Sequence, residues 1–143
     1  MSRSSTPTSH VSTTERIVAS ALAIIWALCI FVFSSVSDGF LPVMFDGWLA
    51  YLIHILEFGL LGALVTIALA SPNTPLWKAA LLGLAITLFY AVIDEVHLVW
   101  GMGRSLGWTY PLIDAVAAVV GVAASLFIKS RSVVRKSRSS KVR

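Results

Sequence analysis

Four long apolar segments constrain the fold of this chain more than any other feature. The helices that they predict occupy about residues 17–33, 48–70, 76–97 and 111–128. Each segment is long enough to cross a hydrocarbon core of about 30 Å, with some tilt or a few flanking residues. None alternates apolar and polar positions as the strands of a membrane barrel do, and backbone groups cannot stay unpaired in lipid. The sequence therefore predicts an all-α integral membrane protein, a bundle of four transmembrane helices.

The composition of the whole chain also indicates a membrane protein. Only 13% of the 143 residues are charged and 57% are hydrophobic, whereas a soluble domain carries about a quarter charged residues.

The regions outside the four apolar segments have a different composition. Residues 1–14 are rich in Ser and Thr and predict a disordered leader. Residues 129–143 are basic and contain no acid, which predicts a cytoplasmic tail that contacts anionic lipid rather than nucleic acid. One transmembrane domain, residues 15–128, lies between them.

The distribution of Lys and Arg indicates the orientation of the bundle. With both termini in the cytoplasm, N-in and C-in, Arg3, Arg16, Lys78 and the tail lie inside and only Arg104 lies outside. This arrangement follows the excess of basic residues in cytoplasmic loops. The first segment, with its basic flank and small residues at 35–37, also resembles a secretory signal peptide. Its apolar core is longer than usual for such peptides, so we predict a retained anchor.

The later three segments contain ionisable residues, which membrane helices rarely accept. A lone charge at mid-membrane costs about 2.5–3.5 kcal/mol. The residues are His54, Glu57, Asp94, Glu95, His97 and Asp114, with Arg104 in the loop beside them. Because successive helices run in opposite directions, all of them fall in the outer half of the predicted bundle, with the second-helix pair about 9 and 14 Å below its outer boundary. Their shared depth predicts one polar site.

The spacing of these residues indicates which helix faces they share. His54 and Glu57 are three residues apart, as are Asp94 and His97, so each pair lies on one face. Glu95 points about 100° away from Asp94, which suggests that it serves a different neighbour.

Small residues, which let helices approach closely, line the third helix before Asp94 and the fourth helix after Asp114. They are Ala80, Gly83, Thr87 and Ala91, and then Ala118, Gly121 and Ser125. We therefore expect the two aspartates to face the bundle interior, near each other. A structural role is the alternative, because buried Glu–His and Asp–Arg pairs can hold helices together and Asp114 can cap the fourth helix or pair with Arg104.

Taken in order, these residues resemble the VanZ-like family of small bacterial membrane proteins. The motifs are His54-x-x-Glu57-Phe58-x-x-Leu61-Gly62, Asp94-Glu95-x-His97, Gly103-Arg104, Asp114 and Gly121, with a serine pair, Ser34–Ser35, after the first segment. The resemblance covers about residues 34–121. The chain lacks the basic residue that the family often has just before the first His, and it also departs from the pattern at four positions where the family usually has Gln, Pro, Asp and Gly. They are Leu98, Met102, Tyr110 and Ala117.

The resemblance implies a location in the plasma membrane of a bacterium and a link to low-level teicoplanin resistance, but no particular reaction. The first functional hypothesis is the binding of a lipid headgroup or a lipid-linked cell-wall intermediate. Arg104 would pair with a phosphate, and the other ligand-binding candidates would orient it and complete the site. They are His54, Glu57, Asp94, Glu95, His97 and Asp114.

An intramembrane metal-dependent hydrolase is the second hypothesis. The candidate ligands of a divalent metal share the spacing of metal sites in helical bundles, and they are His54, Glu57, Asp94 and His97. The candidate catalytic groups are Glu57, Glu95 and His97. Cys29 is the only cysteine, so a zinc site built on several thiolates is excluded. The third hypothesis is a proton-coupled transporter or relay that uses Glu57 and His54 and would require homo-oligomers.

Overall fold

The chain forms four membrane-spanning helices. The computed structural model describes residues 12–40, 48–103, 105 and 107–140, and in these ranges it contains α-helices and no strand. The helices are α1 (Thr13–Phe40), α2 (Trp48–Leu69), α3 (Leu76–Met102) and α4 (Thr109–Ser140). Each includes a stretch long and apolar enough to cross a membrane. The predicted all-α fold is confirmed, and the chain is a multi-pass membrane protein.

Helix α1 begins earlier than hydropathy predicts, because a capping box precedes the apolar segment. The Ser12 Oγ accepts a hydrogen bond from the Glu15 N–H at 3.1 Å, and the Glu15 Oε2 accepts one from the Ser12 N–H at 3.0 Å. These two bonds satisfy N–H groups that a helix otherwise leaves unpaired at its start. The helix therefore includes residues 13 and 14 of the predicted leader, whose first eleven residues lie outside the described ranges.

Helix α4 is longer than predicted, because it continues through most of the basic tail to Ser140. Hydropathy marks where a helix leaves the membrane and not where the helix ends. Lys, Arg and Ser are tolerated in helices, so the chain stays helical after the apolar segment stops.

The helices alternate in direction and give the bundle two different ends. One end, which we call the basic end, contains Arg16, Lys78 and Lys129. There the Arg16 Nε donates to the Ala68 carbonyl oxygen at 3.2 Å, and the Lys129 Nζ lies 3.6 Å from the Glu15 Oε2. The other end, the polar end, is formed by the C-terminal halves of α1 and α3 and the N-terminal halves of α2 and α4.

Helix α2 is central and contacts each of the other three helices. Its closest approach is to α4, where a Cβ on Gly121 would overlap the backbone of Gly59 and a Cβ on Gly62 would lie 3.0 Å from the Ala118 carbonyl oxygen. Only residues without bulky side chains permit backbones to meet in this way. Below the polar end, a buried apolar core fills the bundle: Ala23, Ile30, Phe58, Leu61, Ala91 and Ala117.

Candidate functional site

All four helices contribute to a buried cluster of polar side chains at the polar end. We call it the polar cluster, and it consists of Ser34 (α1), His54 and Glu57 (α2), Asp94 (α3) and Asp114 (α4). Ser34, Glu57, Asp94 and Asp114 are buried, and His54 is nearly so. Both aspartates face the bundle interior, at the positions expected from the stripes of small residues beside them.

A short hydrogen bond joins α2 to α4 within the cluster. The His54 Nδ1 lies 2.8 Å from the Asp114 Oδ1. Aromatic rings surround the imidazole, with the Tyr110 ring centroid 4.8 Å away and the Phe58 ring stacked at 6.3 Å. The ring is therefore held in one orientation by a carboxylate on one edge and by aromatic packing around it.

Glu57 contributes a buried carboxyl group to the cluster. Only 8% of its surface is exposed, and its carboxyl group interacts electrostatically with His54, Asp94 and Asp114. The backbone at the same residue is anchored to α1, because the Trp26 Nε1 donates to the Glu57 carbonyl oxygen at 3.0 Å. Three acids thus surround one imidazole, so the cluster is rich in hydrogen-bond acceptors.

Asp94 is bonded to α1 through one oxygen only. The Ser34 Oγ donates to the Asp94 Oδ2 at 3.1 Å, while the Asp94 Oδ1 is buried and has no hydrogen-bond partner among the described residues. Buried acceptors are normally satisfied, so this oxygen is an available position for a donor on a ligand or a water molecule.

His97 forms a second polar contact beside the cluster. Its Nε2 lies 3.0 Å from the Ser35 Oγ, and its ring packs 4.4 Å from the ring of Phe31. Asp94 and His97 therefore share a helix face, as their spacing predicts, and both reach consecutive serines of α1.

Glu95 does not join the cluster. It lies on the side of α3 that faces a groove beside α4, which agrees with the expected angle between its direction and that of Asp94. Arg104, the phosphate-binding candidate, lies outside the described residues.

The four metal candidates do not form a metal site, although His54, Glu57 and Asp94 belong to the polar cluster and His97 lies beside it. His54 is bonded to Asp114 and His97 to Ser35, and these contacts belong to different parts of the polar end. In the described part of the chain, no group of three His, Cys, Asp or Glu residues is arranged to hold a metal ion.

Hydroxyl groups closer to the basic end do not extend the cluster, because they bond to their own helices. Thr66 donates to the Gly62 carbonyl oxygen, Thr87 to that of Gly83 and Ser125 to that of Val122. The polar cluster therefore occupies one end of the bundle and lies next to the buried apolar core.

Two contributors were not predicted as site residues. The Tyr90 hydroxyl donates to the Ala27 carbonyl oxygen at 2.5 Å, and the Tyr90 ring centroid lies 6.3 Å from that of Phe58. Ser34 was noted only as part of the family resemblance. The signal for Tyr90 is its position four residues before Asp94, which places both on one helix face.

The comparisons with known proteins give no relative of this site. No family model, curated protein or solved structure matches the chain. Its function is therefore argued from the geometry of the polar end.

Proposed function

We propose that this chain is a VanZ-like protein of a bacterial plasma membrane, and that it binds a lipid headgroup or a lipid-linked cell-wall intermediate at its polar end. One observation carries the proposal: all four helices bring polar side chains to the same end of the bundle, next to the buried apolar core. A site at one end of the bundle lies nearer to one membrane surface than to the other, as the recognition of a headgroup requires.

The chemistry of the polar cluster fits a ligand rich in hydrogen-bond donors. The Asp94 Oδ1 has no partner among the described residues, and Glu57 interacts electrostatically with two further acids. The sugar and peptide parts of a lipid-linked cell-wall intermediate carry many O–H and N–H groups, which carboxyl oxygens accept strongly. Arg104, in the adjoining loop, supplies the guanidinium expected to pair with the phosphate of the same ligand.

The energetic cost of the cluster supports a functional role. Ionisable groups within a membrane are unfavourable and occur mostly where they serve a site or a pathway. Here the helices that carry the ionisable groups are held in place by the backbone contact between Gly59 and Gly121 and by the buried core. A rigid scaffold of this kind preorganises a binding site, because its side chains are positioned before the ligand arrives.

The proposed ligand also accounts for the expected link to glycopeptides. With the polar end facing outward, the site lies in the leaflet where a lipid-linked intermediate is exposed to teicoplanin. A protein that binds that intermediate and shields it lowers susceptibility to the antibiotic without altering the antibiotic itself.

The binding test compares two substitutions of buried polar residues. Glu57→Gln keeps the size of the side chain but removes one carboxyl group from the cluster. Thr66→Val removes a buried hydroxyl outside it. Purified protein in lipid nanodiscs is titrated with a lipid-linked cell-wall intermediate, and we expect Glu57→Gln to weaken binding at least tenfold while Thr66→Val binds like the wild type. Equal binding by all three proteins, with unchanged helix content, would contradict the proposal.

The cellular test uses the same variants in a glycopeptide-susceptible Gram-positive host. Expression of the wild type is expected to raise the inhibitory concentration of teicoplanin, and expression of Glu57→Gln is not. Matched amounts of protein in the membrane fraction are the necessary control. If wild type and Glu57→Gln give the same susceptibility at equal abundance, the polar cluster has no part in resistance.

A further inference from the structure

A groove between α3 and α4 lies outside the polar cluster and contains a single carboxylate. We call it the Glu95 groove. Its volume is about 380 Å³, and its described lining is apolar or aromatic apart from Glu95. The residues that define its length and mouth are Leu88, Val92, Val96, Trp100, Trp108 and Pro111.

One oxygen of the Glu95 carboxyl group has no hydrogen-bond partner among the described residues. This oxygen, the Oε1, is buried. An acceptor withdrawn from water without a donor is unfavourable, and an apolar wall offers no compensation. The groove therefore has an apolar surface and one carboxyl oxygen, on Glu95, that lacks a hydrogen-bond donor.

The dimensions of the groove match one leaflet of a membrane. From Leu88 to Trp100 the helix rises about 18 Å, and one half of a hydrocarbon core measures about 15 Å. Trp100 and Trp108 are 83% and 75% exposed at its mouth, and Trp residues favour the boundary between lipid and water. A single extended acyl chain, entering from the leaflet at the polar end, has the length and polarity that the groove accepts.

Glu95 lies at a depth that a headgroup can reach. The membrane span of α3 has 26 residues, Leu76–Gly101, which is about 39 Å of helix and exceeds the core by about 9 Å. Glu95 is six residues before the end of this span. If the excess is shared between both ends, its Cα lies about 5 Å inside the hydrocarbon boundary, and intramembrane charges draw headgroups and water toward them.

We propose that the Glu95 groove binds an aminophospholipid, with its acyl chain along α3 and α4 and its primary ammonium donating to Glu95. An ammonium offers three N–H donors and a charge opposite to that of a carboxylate. A trimethylammonium headgroup has the charge but no N–H donor. An anionic glycerol headgroup has O–H donors, but no cation balances its phosphate, so its net negative charge is repelled by Glu95.

The test measures lipid retention by native mass spectrometry on the full-length, delipidated protein. The probes are phosphatidylethanolamine, phosphatidylcholine and phosphatidylglycerol with identical acyl chains. The wild type is expected to retain phosphatidylethanolamine at least fivefold better than the other two. Equal retention of phosphatidylethanolamine and phosphatidylcholine by the wild type would overturn the proposal without any variant.

Variants separate Glu95 from general effects of charge and folding. Glu95→Gln is expected to abolish the preference for phosphatidylethanolamine, whereas Glu15→Gln, which changes an acid at the basic end and preserves the capping box, is expected to keep it. Ala115→Leu, which fills the groove, is expected to lower retention of phosphatidylethanolamine. A Glu95→Gln protein of normal helix content that keeps the preference would overturn the assignment.

The same experiments distinguish two alternatives. In the first, a second copy of the chain covers the groove, and in the second, the lipid binds at the polar cluster. If a second copy covers the groove, the wild type will be a dimer, the dimer will weaken in Ala115→Leu, and no lipid preference will appear, which contradicts the proposal. The inference is also independent of the polar cluster, since Glu57→Gln is expected to retain the preference for phosphatidylethanolamine. Loss of that preference in Glu57→Gln would assign the lipid to the cluster instead.

Discussion

The His54 Nδ1 and the Asp114 Oδ1 lie 2.8 Å apart, and this contact joins α2 to α4 within two helical turns of the point where the backbones of Gly59 and Gly121 meet. The glycine contact determines how closely the two helices approach. The polar contact determines how each helix is rotated about its axis. Together they place Glu57 and Asp114 on the facing surfaces of α2 and α4, inside the bundle.

The contact between His54 and Asp114 is expected to contribute measurable stability. In a double-mutant cycle with His54→Ala and Asp114→Ala, we predict a coupling free energy of about 1 kcal/mol, because hydrogen bonds between membrane helices are worth about 0.6–2 kcal/mol. The measurement is the free energy of unfolding in mixed micelles. A pair drawn from different regions, His54→Ala with Ser130→Ala, is the control and should be additive. A coupling near zero for His54 and Asp114 would contradict the observed hydrogen bond.

Gly121 is expected to tolerate no larger side chain. A Cβ at this position would overlap the carbonyl group of Gly59, so Gly121→Ala must separate α2 from α4. Overpacking of this kind costs about 1–3 kcal/mol, and the free energy of unfolding should fall by that amount. Gly107→Ala is the matched control, because nothing lies within 4 Å of the added Cβ. Similar stability of the two variants would show that the helices do not meet as described.

The position of the polar residues at one end of the bundle could be predicted from the sequence, because it depends only on helix direction and on a constant rise per residue. The burial of Asp94 and Asp114 could also be predicted, since small residues one turn apart mark the faces where helices approach closely. The different directions of Asp94 and Glu95 follow from the helical angle between adjacent residues.

The partners of these residues could not be predicted, because they depend on how each helix is rotated in the assembled bundle. Spacing alone does not distinguish a contact of His54 with Asp114 from one with Glu57. Nor does it pair Asp94 with Ser34, since a serine in an apolar helix usually bonds to the backbone of its own helix. The metal hypothesis relied on four residues sharing a depth, and rotation assigns two of them, His54 and His97, to separate contacts.

Asp94 is expected to be a site residue whose presence lowers stability. Asp94→Asn retains an oxygen for the Ser34 hydroxyl and removes a buried carboxyl group, so we predict that the free energy of unfolding rises by about 1 kcal/mol. Binding of the lipid-linked intermediate should weaken in the same variant. Asp94→Ala is the comparison, because it loses the bond to Ser34 and should be less stable than Asp94→Asn. A purely structural role would give the opposite result, in which Asp94→Asn is destabilised and binds normally.

The first turn of α1 is expected to depend on Ser12. Ser12→Ala removes the acceptor for the Glu15 N–H, and loss of such a cap costs about 1 kcal/mol. Amide hydrogen exchange of the first turn should accelerate about fivefold, which corresponds to that cost, while exchange in α2 stays unchanged. Thr13→Ala is the control for a nearby side chain outside the capping box. Equal exchange in both variants would argue against the cap.

The polar end is expected to face the outside of the cell. Arg16, Lys78 and Lys129 lie at the other end of the bundle, and basic residues remain on the cytoplasmic side. In a Cys29→Ala background, Gly107→Cys should react with a membrane-impermeant maleimide in intact cells, whereas Asn73→Cys, in the turn between α2 and α3, should react only after permeabilisation. The reverse pattern would place the polar cluster toward the cytoplasm. In that case an intermediate exposed on the outer surface could not be its ligand, and shielding from teicoplanin would have no structural basis.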